Sequence, residues 1–492
     1  MFARLSASLA AIRTAHDAYF GSRRFASATI IVAALGLSGC APFSPDAGMS
    51  VVSDIAGSAI GKDVAFVRSA EDAAHADGAV RRLLSRPLTA DAAVQAALLN
   101  NKGLQAAYNE LALAETDLVS ESLPPNPVLS ISRISGDAAS EAERQVAGNI
   151  LALATLPFRS DIARDRFHQA QLKASLETLR LAAEVRRAYY RAIAASELTA
   201  LLSDAKATAE AAAQLADKLG QTGSISKLDQ AREQVFDAET AAELASARQE
   251  MSRSREQLAR LLGLSEISPA LRLPEHLPPL PVRLRTSTSI EADAVGHRID
   301  LQIARLDLVA LAKSLDLTEA TRFVTLVDIA GIDKRTTEPG VPAFRERGFD
   351  IAIQIPIFDG GEVRVRQATE TYRRAYNRLS EKAVNVRSEA REAYRTYRSA
   401  YDIASQYQRK VLPLRQTITE EMQLRLSSMQ VDVFALVTEA RQRVASSRAA
   451  IDASRAFWIA QSDLVTAING GGPAAGGDGQ AVSMAQVPNA NH

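Results

Sequence analysis

The sequence predicts a mainly α-helical protein with a membrane β-barrel portion, built from a duplicated β-β-α module. Three observations predict it. First, the chain repeats itself: Leu104-Gln105-Ala106-Ala107 is answered by Leu301-Gln302-Ile303-Ala304, Thr155-Leu156-Pro157-Phe158 by Gln354-Ile355-Pro356-Ile357-Phe358, and Ala231-Arg232-Glu233-Gln234-Val235 by Ala440-Arg441-Gln442-Arg443-Val444. The copies lie about 200 residues apart, which is a duplicated module and not a solenoid unit. Second, a strand-like alternation of period two precedes a very long helical stretch in each half. Third, that helical stretch holds a period near 3.5 residues, the signature of left-handed supercoiling against neighbouring helices.

Composition narrows the function. Of 492 residues, 47% are apolar but only 5% aromatic, a balance suited to long, closely packed, alanine-rich helices. Lys+Arg and Asp+Glu both number 57, so no basic footprint points to nucleic acid. The six histidines are scattered without metal-ligand spacing, so neither a metal nor another cofactor is expected. No nucleophile motif or carboxylate pair marks an enzyme, and Gly470-Gly471-Gly472 lacks the Lys and Ser/Thr of a phosphate loop.

The single cysteine, Cys40, follows Arg23-Arg24 and the apolar run Phe25 to Leu37. A basic region, an apolar region of secretory length and small residues at the break read as a signal peptide over residues 1–39. Leu37-Ser38-Gly39-Cys40 resembles a bacterial lipobox, which implies an acylated Cys40 as the mature N-terminus; Ala41 after it favours the outer membrane by the same resemblance. Residues 40–87 are weakly periodic and read as a lipid-anchored tether.

The first repeat spans 88–270. Thr89 is the expected N-cap of a helix with Asp91 in its first turn, running to about Ser120 and stopped by Pro124-Pro125-Asn126-Pro127. Val128–Ile134 and Asn149–Thr155 read as strands. A helix from about Ile162 to Leu219 follows, then a reversal at Gly220-Gln221-Thr222-Gly223-Ser224 and a returning helix ending at Leu261-Leu262-Gly263. A Pro-rich linker covers 271–289. The second repeat, 290–470, supplies strands at Phe323–Ile329 and Phe349–Ile355, joined by a polar loop from Ile332 to Arg347. Asp359-Gly360-Gly361 is a turn signal. The seam Tyr372, Tyr376, Leu379, Ala383, Val386, Ala390, Ala393, Tyr397, Ala400, Ala404, Tyr407, Val411, Leu414 and Ile418 then marks the long helix, with a kink expected at Pro413. Each long helix is expected to span roughly 85–95 Å at ~1.5 Å per residue. The reversal at Leu426–Gln430 has no glycine, and the Gly-rich tail 471–492 reads as disordered.

Four short amphipathic strands cannot close a barrel, and open edges are not tolerated in lipid. If they span a membrane they must be pooled among copies; three copies give about twelve strands, an even number within the known range. The same symmetry collects the long helices into an α-barrel. Phe349, Ile351, Ile353 and Ile355 then face lipid, while Asp350, Gln354, Ser130 and Ser132 face a water-filled pore. A soluble sheet is compatible with the same alternation.

In this order the motifs resemble the TolC-like outer-membrane efflux factors, in their lipoprotein branch. The resemblance is carried by Leu88-Thr89, Ala96-Ala97-Leu98-Leu99-Asn100-Asn101 with Leu104, Leu123-Pro124-Pro125-Asn126-Pro127, Gly223-Ser224-Ile225-Ser226-Lys227-Leu228-Asp229, Leu258-Ala259-Arg260-Leu261-Leu262-Gly263, His297-Arg298-Ile299-Asp300-Leu301 and Ile355-Pro356-Ile357-Phe358-Asp359-Gly360-Gly361. It implies a homotrimer whose twelve-stranded β-barrel in the outer membrane continues into an α-helical barrel in the periplasm. It also implies partners: a periplasmic adaptor protein and an inner-membrane pump, together forming a tripartite efflux or type I export system. The helical tips that would meet the adaptor fall at Gly220, Gly223, Lys227 and Asp229 and at Ser427, Asp432 and Glu439. By resemblance, acids near the second tip can ring a closed aperture; Asp432 and Glu439 are the acids of Val431–Glu439, and solvated helix surface is the competing account. The rival function is a coiled-coil structural lipoprotein of the cell envelope with no channel, which explains Cys40 and the heptads but not a strand pair before each long helix.

Overall fold

A computed structural model of the chain describes residues 43–137, 139–265, 271–284 and 290–470. The predicted signal peptide, the predicted acylation site Cys40 and the Gly-rich tail lie outside the described residues. Two units are distinguished. One gathers Val119–Ser160 and Val327–Ala352; the other gathers Pro45–Leu118, Asp161–Leu326 and the chain from Ile353 onward.

The first unit is built on one four-stranded antiparallel sheet in the order β1-β2-β3-β4: β1 Val128–Ser135, β2 Ser140–Asn149, β3 Leu326–Thr337 and β4 Phe344–Gln354. Each repeat contributes one hairpin, and the hairpins join through β2 and β3. The first strand matches the expected Val128–Ile134. The other three correct the sequence reading. The segment expected as the second strand, Asn149–Thr155, is helical after Asn149, whose side chain accepts a hydrogen bond from the Ala152 N–H (2.6 Å). The true partner of β1 is the polar run Ser140–Asn149, which carries no hydrophobic alternation and is specified by pairing instead: Val128 faces Ala147 and Ser135 faces Ser140. In the second repeat the strands are longer than predicted and shifted: β3 starts at Leu326 and leaves out the expected Phe323, Val324 and Thr325, and β4 ends at Gln354, one residue short of Ile355. Most of the polar loop Ile332–Arg347 is strand, stitched by Arg345 and Arg347 to Asp333 (Arg347 Nε at 3.2 Å) and by Lys334 to Glu141 (2.9 Å).

The second unit is helical. Residues 40–87, read as a tether, contain short helical turns at 49–60 and the helix α1, Ala70–Leu84, started by a capping box between Ser69 and Asp72. Met49, Val52, Val80 and Leu84 are buried in a core shared with Leu88, Val94, Leu98, Tyr108 and Val185. Thr89 caps α2, Ala90–Asn100, as expected, accepting from the Ala92 N–H (3.1 Å). The helix breaks at Asn101 and resumes as α3, Lys102–Ser122. That break has a purpose. The Asn100 amide donates to the Leu262 and Gly263 carbonyls (3.0 and 2.8 Å), and the Asn101 amide donates to the Leu261 carbonyl (2.9 Å). Two motifs some 160 residues apart therefore close one another: the side-chain amides of the first satisfy the orphan carbonyls at the end of the second.

The long helices follow. α4, Ile150–Gln221, runs 72 residues and tolerates Pro157 near its start. α5, Lys227–Leu261, returns along it. α6, Ile290–His297, and α7, Ile299–Ala320, open the second repeat. α8, Glu362–Gln406, starts at Gly361 in the left-handed region (φ 72°), where a Cβ would stand 2.2 Å from the Arg322 carbonyl oxygen. Instead of a bare kink at Pro413, the helix opens into a π turn at Tyr407–Val411 before α9, Leu412–Ser427. Pro413 has no N–H for the Arg409 carbonyl and its ring crowds the preceding turn, so the ladder widens just before it. α10, Val433–Asn469, completes the fold. Among the described residues no helix is long and apolar enough to cross a membrane, a statement that does not bear on β-strands.

Candidate pore wall and helical tips

The register of the first unit sorts side chains onto two faces. Directly opposed residues in an antiparallel sheet share a face, and neighbours along a strand alternate. One face carries the rows Leu129–Val146–Gly331, Ile131–Arg144–Asp333 and Arg133–Ala142–Arg335. The other carries Ser130–Gln145–Ile332, Ser132–Glu143–Lys334 and Ile134–Glu141–Thr336. The first face is the more open: Leu129, Ile131 and Val146 are 64, 68 and 55% exposed. On the second, Gln145, Glu143, Ile332 and Lys334 are half-buried and Ala330 is buried. One side is thus the more open and carries Leu129, Ile131 and Val146 together with Arg133, Arg144, Arg335 and Asp333; the other is more enclosed at β2 and β3 and carries Ser130, Ser132, Gln145, Glu143, Glu141 and Lys334 together with Ile134 and Ile332.

Ser130 and Ser132 fall together on the second face. They are joined there by Gln145, Glu143, Glu141 and Lys334, which the sequence reading missed because β2 was displaced. In β4, Asp350 and Gln354 alternate with Phe349, Ile351 and Ile353, and all five are exposed. The Gln354 Oε1 accepts from the Thr325 hydroxyl (3.0 Å). β1 and β4 are the edges of the sheet, and every residue of both is exposed. Long open edges of this kind are normally covered or paired.

The two helical reversals use one geometry. At the first, the Ser224 N–H donates to the Leu219 carbonyl (2.8 Å) and Gly223 sits at φ 71°. At the second, the Gln430 N–H donates to the Arg425 carbonyl (2.9 Å) and Met429, a residue with a side chain, sits at φ 58°. Both are six-to-one helix terminations that need one left-handed residue. The next helix is capped in each case: Ser226 accepts from the Asp229 N–H (3.1 Å), and Asp432 accepts from the Ala435 N–H (2.7 Å).

These bonds define the predicted tip residues. Gly220 lies in the last turn of α4 with the Gln230 side-chain amide against it, which a Cβ there would displace, while Gly223 is open. Lys227 and Ser427 are exposed. Asp229 also holds Arg232 (3.1 Å) and the Ser226 hydroxyl (2.7 Å). Glu439 is buried and paired with Arg415 (3.1 Å), so within the protomer its charge is already matched. The two hairpins are fastened together by Arg441, which bonds Glu233 (2.7 Å) and lies 4.0 Å from the Phe236 ring centroid, and by Arg448 with Glu243 (3.2 Å). Nearer the helix starts, Arg298 is clamped between Asp300 (2.8 Å) and Glu389. Burial pushes the Asp300 pKa upward, but the hydrogen bonds and charge of Arg298, with Lys382, outweigh it and hold it below the ordinary value of 3.8.

No protein-family profile matches the chain, and no curated protein matches it by sequence. Its structure does have neighbours. A membrane protein from Pseudomonas aeruginosa matches with a TM-score of 0.66 and 19% identity over 80% of this chain and 94% of that one. The outer-membrane channel OprN matches with a TM-score of 0.61 and 17% identity over 87% and 97%. The open state of the Neisseria gonorrhoeae MtrE outer-membrane channel matches with a TM-score of 0.62 and 15% identity over 77% and 88%. The fold is that of the TolC-like outer-membrane channels.

Proposed function

We propose that this chain is the outer-membrane channel of a tripartite efflux or type I export system, a conduit and not a catalyst. The observation that carries the reading is the two-sided sheet with open edges. The exposed Leu129, Ile131 and Val146 of one face suit hydrocarbon, the Ser130, Ser132, Gln145 and Glu143 of the other suit a water-filled lumen, and unpaired edges at β1 and β4 suit closure with further copies of the chain. Three protomers supply twelve strands. The helical hairpins, with tips at Gly220–Asp229 and Ser427–Glu439, would form the periplasmic conduit and meet an adaptor protein that links it to an inner-membrane pump. Cys40 would carry the acyl anchor.

Planar-bilayer recording of the purified, detergent-solubilised protein, together with its mass by light scattering, tests this. The reading predicts a trimer and stepwise ion conductance. A monomer that produces no conductance and partitions into water once Cys40 is replaced by Ala would contradict it and leave the coiled-coil spacer as the better account.

A further inference from the structure

Charge is partitioned across the sheet. The arginines of β1, β2 and β3, namely Arg133, Arg144 and Arg335, all stand on the face that carries Leu129, Ile131 and Val146. Arg345 and Arg347 of β4 reach the Asp333 carboxylate of that same face. The acids of β2, Glu141 and Glu143, stand on the opposite face, where Lys334 answers Glu141. On the arginine face of β1–β3, Asp333 is the one acid in register, and its oxygens are taken by Arg345 and Arg347. Arg133, Arg144 and Arg335 are exposed and make no ion pair among the described residues. The face therefore carries a clear cationic excess, all of it on the hairpin-turn side of the Leu129–Val146 row. Rows on one face of a strand are about 7 Å apart, so the arginines begin about 7 Å beyond that apolar row and continue for another 7 Å.

An unneutralised arginine row bordering an open apolar surface fits one partner: a molecule with hydrocarbon and phosphate at the same spacing. Guanidinium groups bind phosphate oxygens in bidentate fashion and keep their charge at any working pH. We propose that Arg133, Arg144 and Arg335 form a docking belt for the phosphate groups of lipids in the membrane leaflet that surrounds the sheet. This rests on the membrane-channel reading above. The belt would fix the depth of the strands in the bilayer and select lipids bearing a phosphomonoester or another exposed phosphate.

Native mass spectrometry of the detergent-solubilised assembly, titrated with phosphatidic acid or phosphatidylcholine of equal chain length, reads the selection. Wild type is expected to prefer phosphatidic acid, and each Arg→Gln change at 133, 144 and 335 to weaken that preference about fivefold, the ratio equivalent to the ~1 kcal/mol a surface arginine gains from anionic lipid. The triple Arg→Lys variant, which keeps the charge but loses the bidentate fork, should fall between wild type and the triple Arg→Gln variant, and Lys334→Gln, on the other face, should leave the preference unchanged. Glycerol phosphate, which lacks acyl chains, should not displace the lipid. A preference that survives in the triple Arg→Gln variant, an equal loss from Lys334→Gln, or full displacement by glycerol phosphate would overturn the proposal. If the triple Arg→Gln variant does not assemble, the three single variants carry the test. Wild type that conducts but shows no lipid preference defeats this inference alone; wild type that neither inserts nor conducts defeats the channel reading beneath it.

Discussion

The two long helical runs descend from the same repeat and are buried very differently. α4 buries side chains along most of its length beyond Ile162, from Leu172 and Leu179 through Val185, Tyr189 and Ile193 to Ala209 and Ala216. Its counterpart, α8 with the π turn and α9, buries only Val386, Ala390, Tyr397 and Ala404. The heptad seam of the second run is closed in the middle, where Tyr397 stacks on Phe457 (5.5 Å), and more open toward both ends, where Tyr372, Leu379 and Val411 are half-buried and Tyr376 and Leu414 are 55 and 62% exposed. Under the channel reading, the open stretches of that seam are where neighbouring helices of other copies would pack. α4 is therefore the better buried of the two runs within the chain, and α8 with α9 the more open.

The largest effect that separates the two runs should come from truncating an isoleucine on each. Ile193 is fully buried, so Ile193→Ala should lower unfolding stability by about 3 kcal/mol. Ile403 is half exposed, so Ile403→Ala should cost less than about 1 kcal/mol in the protomer. Thermal or denaturant unfolding in detergent checks both, and equal losses would erase the distinction.

A smaller effect tests what fastens the second run. Asp300 gains stability from Arg298, so Asp300→Asn should cost about 2 kcal/mol at neutral pH. Its pKa is lower folded than unfolded, so this contribution is fully present above the unfolded value near 3.8 and is lost as pH falls through the lower folded value. Wild type and Asp300→Asn should therefore converge in stability as acid is added below about pH 4, read from melting temperatures across a pH series. A constant gap would mean that the carboxylate charge is not what matters.

The smallest effects lie at the reversals, and they should have opposite signs. Both use a left-handed residue, glycine in one half and methionine in the other. Gly223→Ala should destabilise by about 1 kcal/mol, while Met429→Gly should stabilise by up to about 1 kcal/mol by removing the strain of a side chain in that conformation. Paired melting curves decide it; a loss at both sites would show that Met429 is held by contacts outside the protomer.

Much of this was legible in the sequence because the signals were local. Thr89, the Gly220–Ser224 reversal, the Asp359-Gly360-Gly361 turn and the Ala/Tyr seam announce themselves through capping, turn chemistry and period. β2 did not, because its residues are polar on both faces and only the register with β1 and β3 makes them a strand. The Ile150–Leu153 run next to it has the look of a strand, yet Asn149 turns it into the first turn of α4. The helix at Ala70–Leu84 was hidden for a related reason: it buries only Val80 and Leu84, too few to set a period. The face that the proposal turns toward the lumen was half visible, since Ser130 and Ser132 could be read from the period of β1 but Glu141, Glu143 and Lys334 depended on the misplaced strand. Glu439 shows the converse. It stood out as an acid near a tip, and only the structure reveals Arg415 beside it.

The account rests on β1 having lipid on one side and water on the other. Substituted-cysteine labelling in liposomes, with a charged thiol reagent that cannot enter hydrocarbon, measures this directly along Leu129, Ser130, Ile131 and Ser132. The prediction is strict alternation: Ser130→Cys and Ser132→Cys react, and Leu129→Cys and Ile131→Cys are protected. Equal labelling at all four positions, or protection of the serine sites instead, would contradict it.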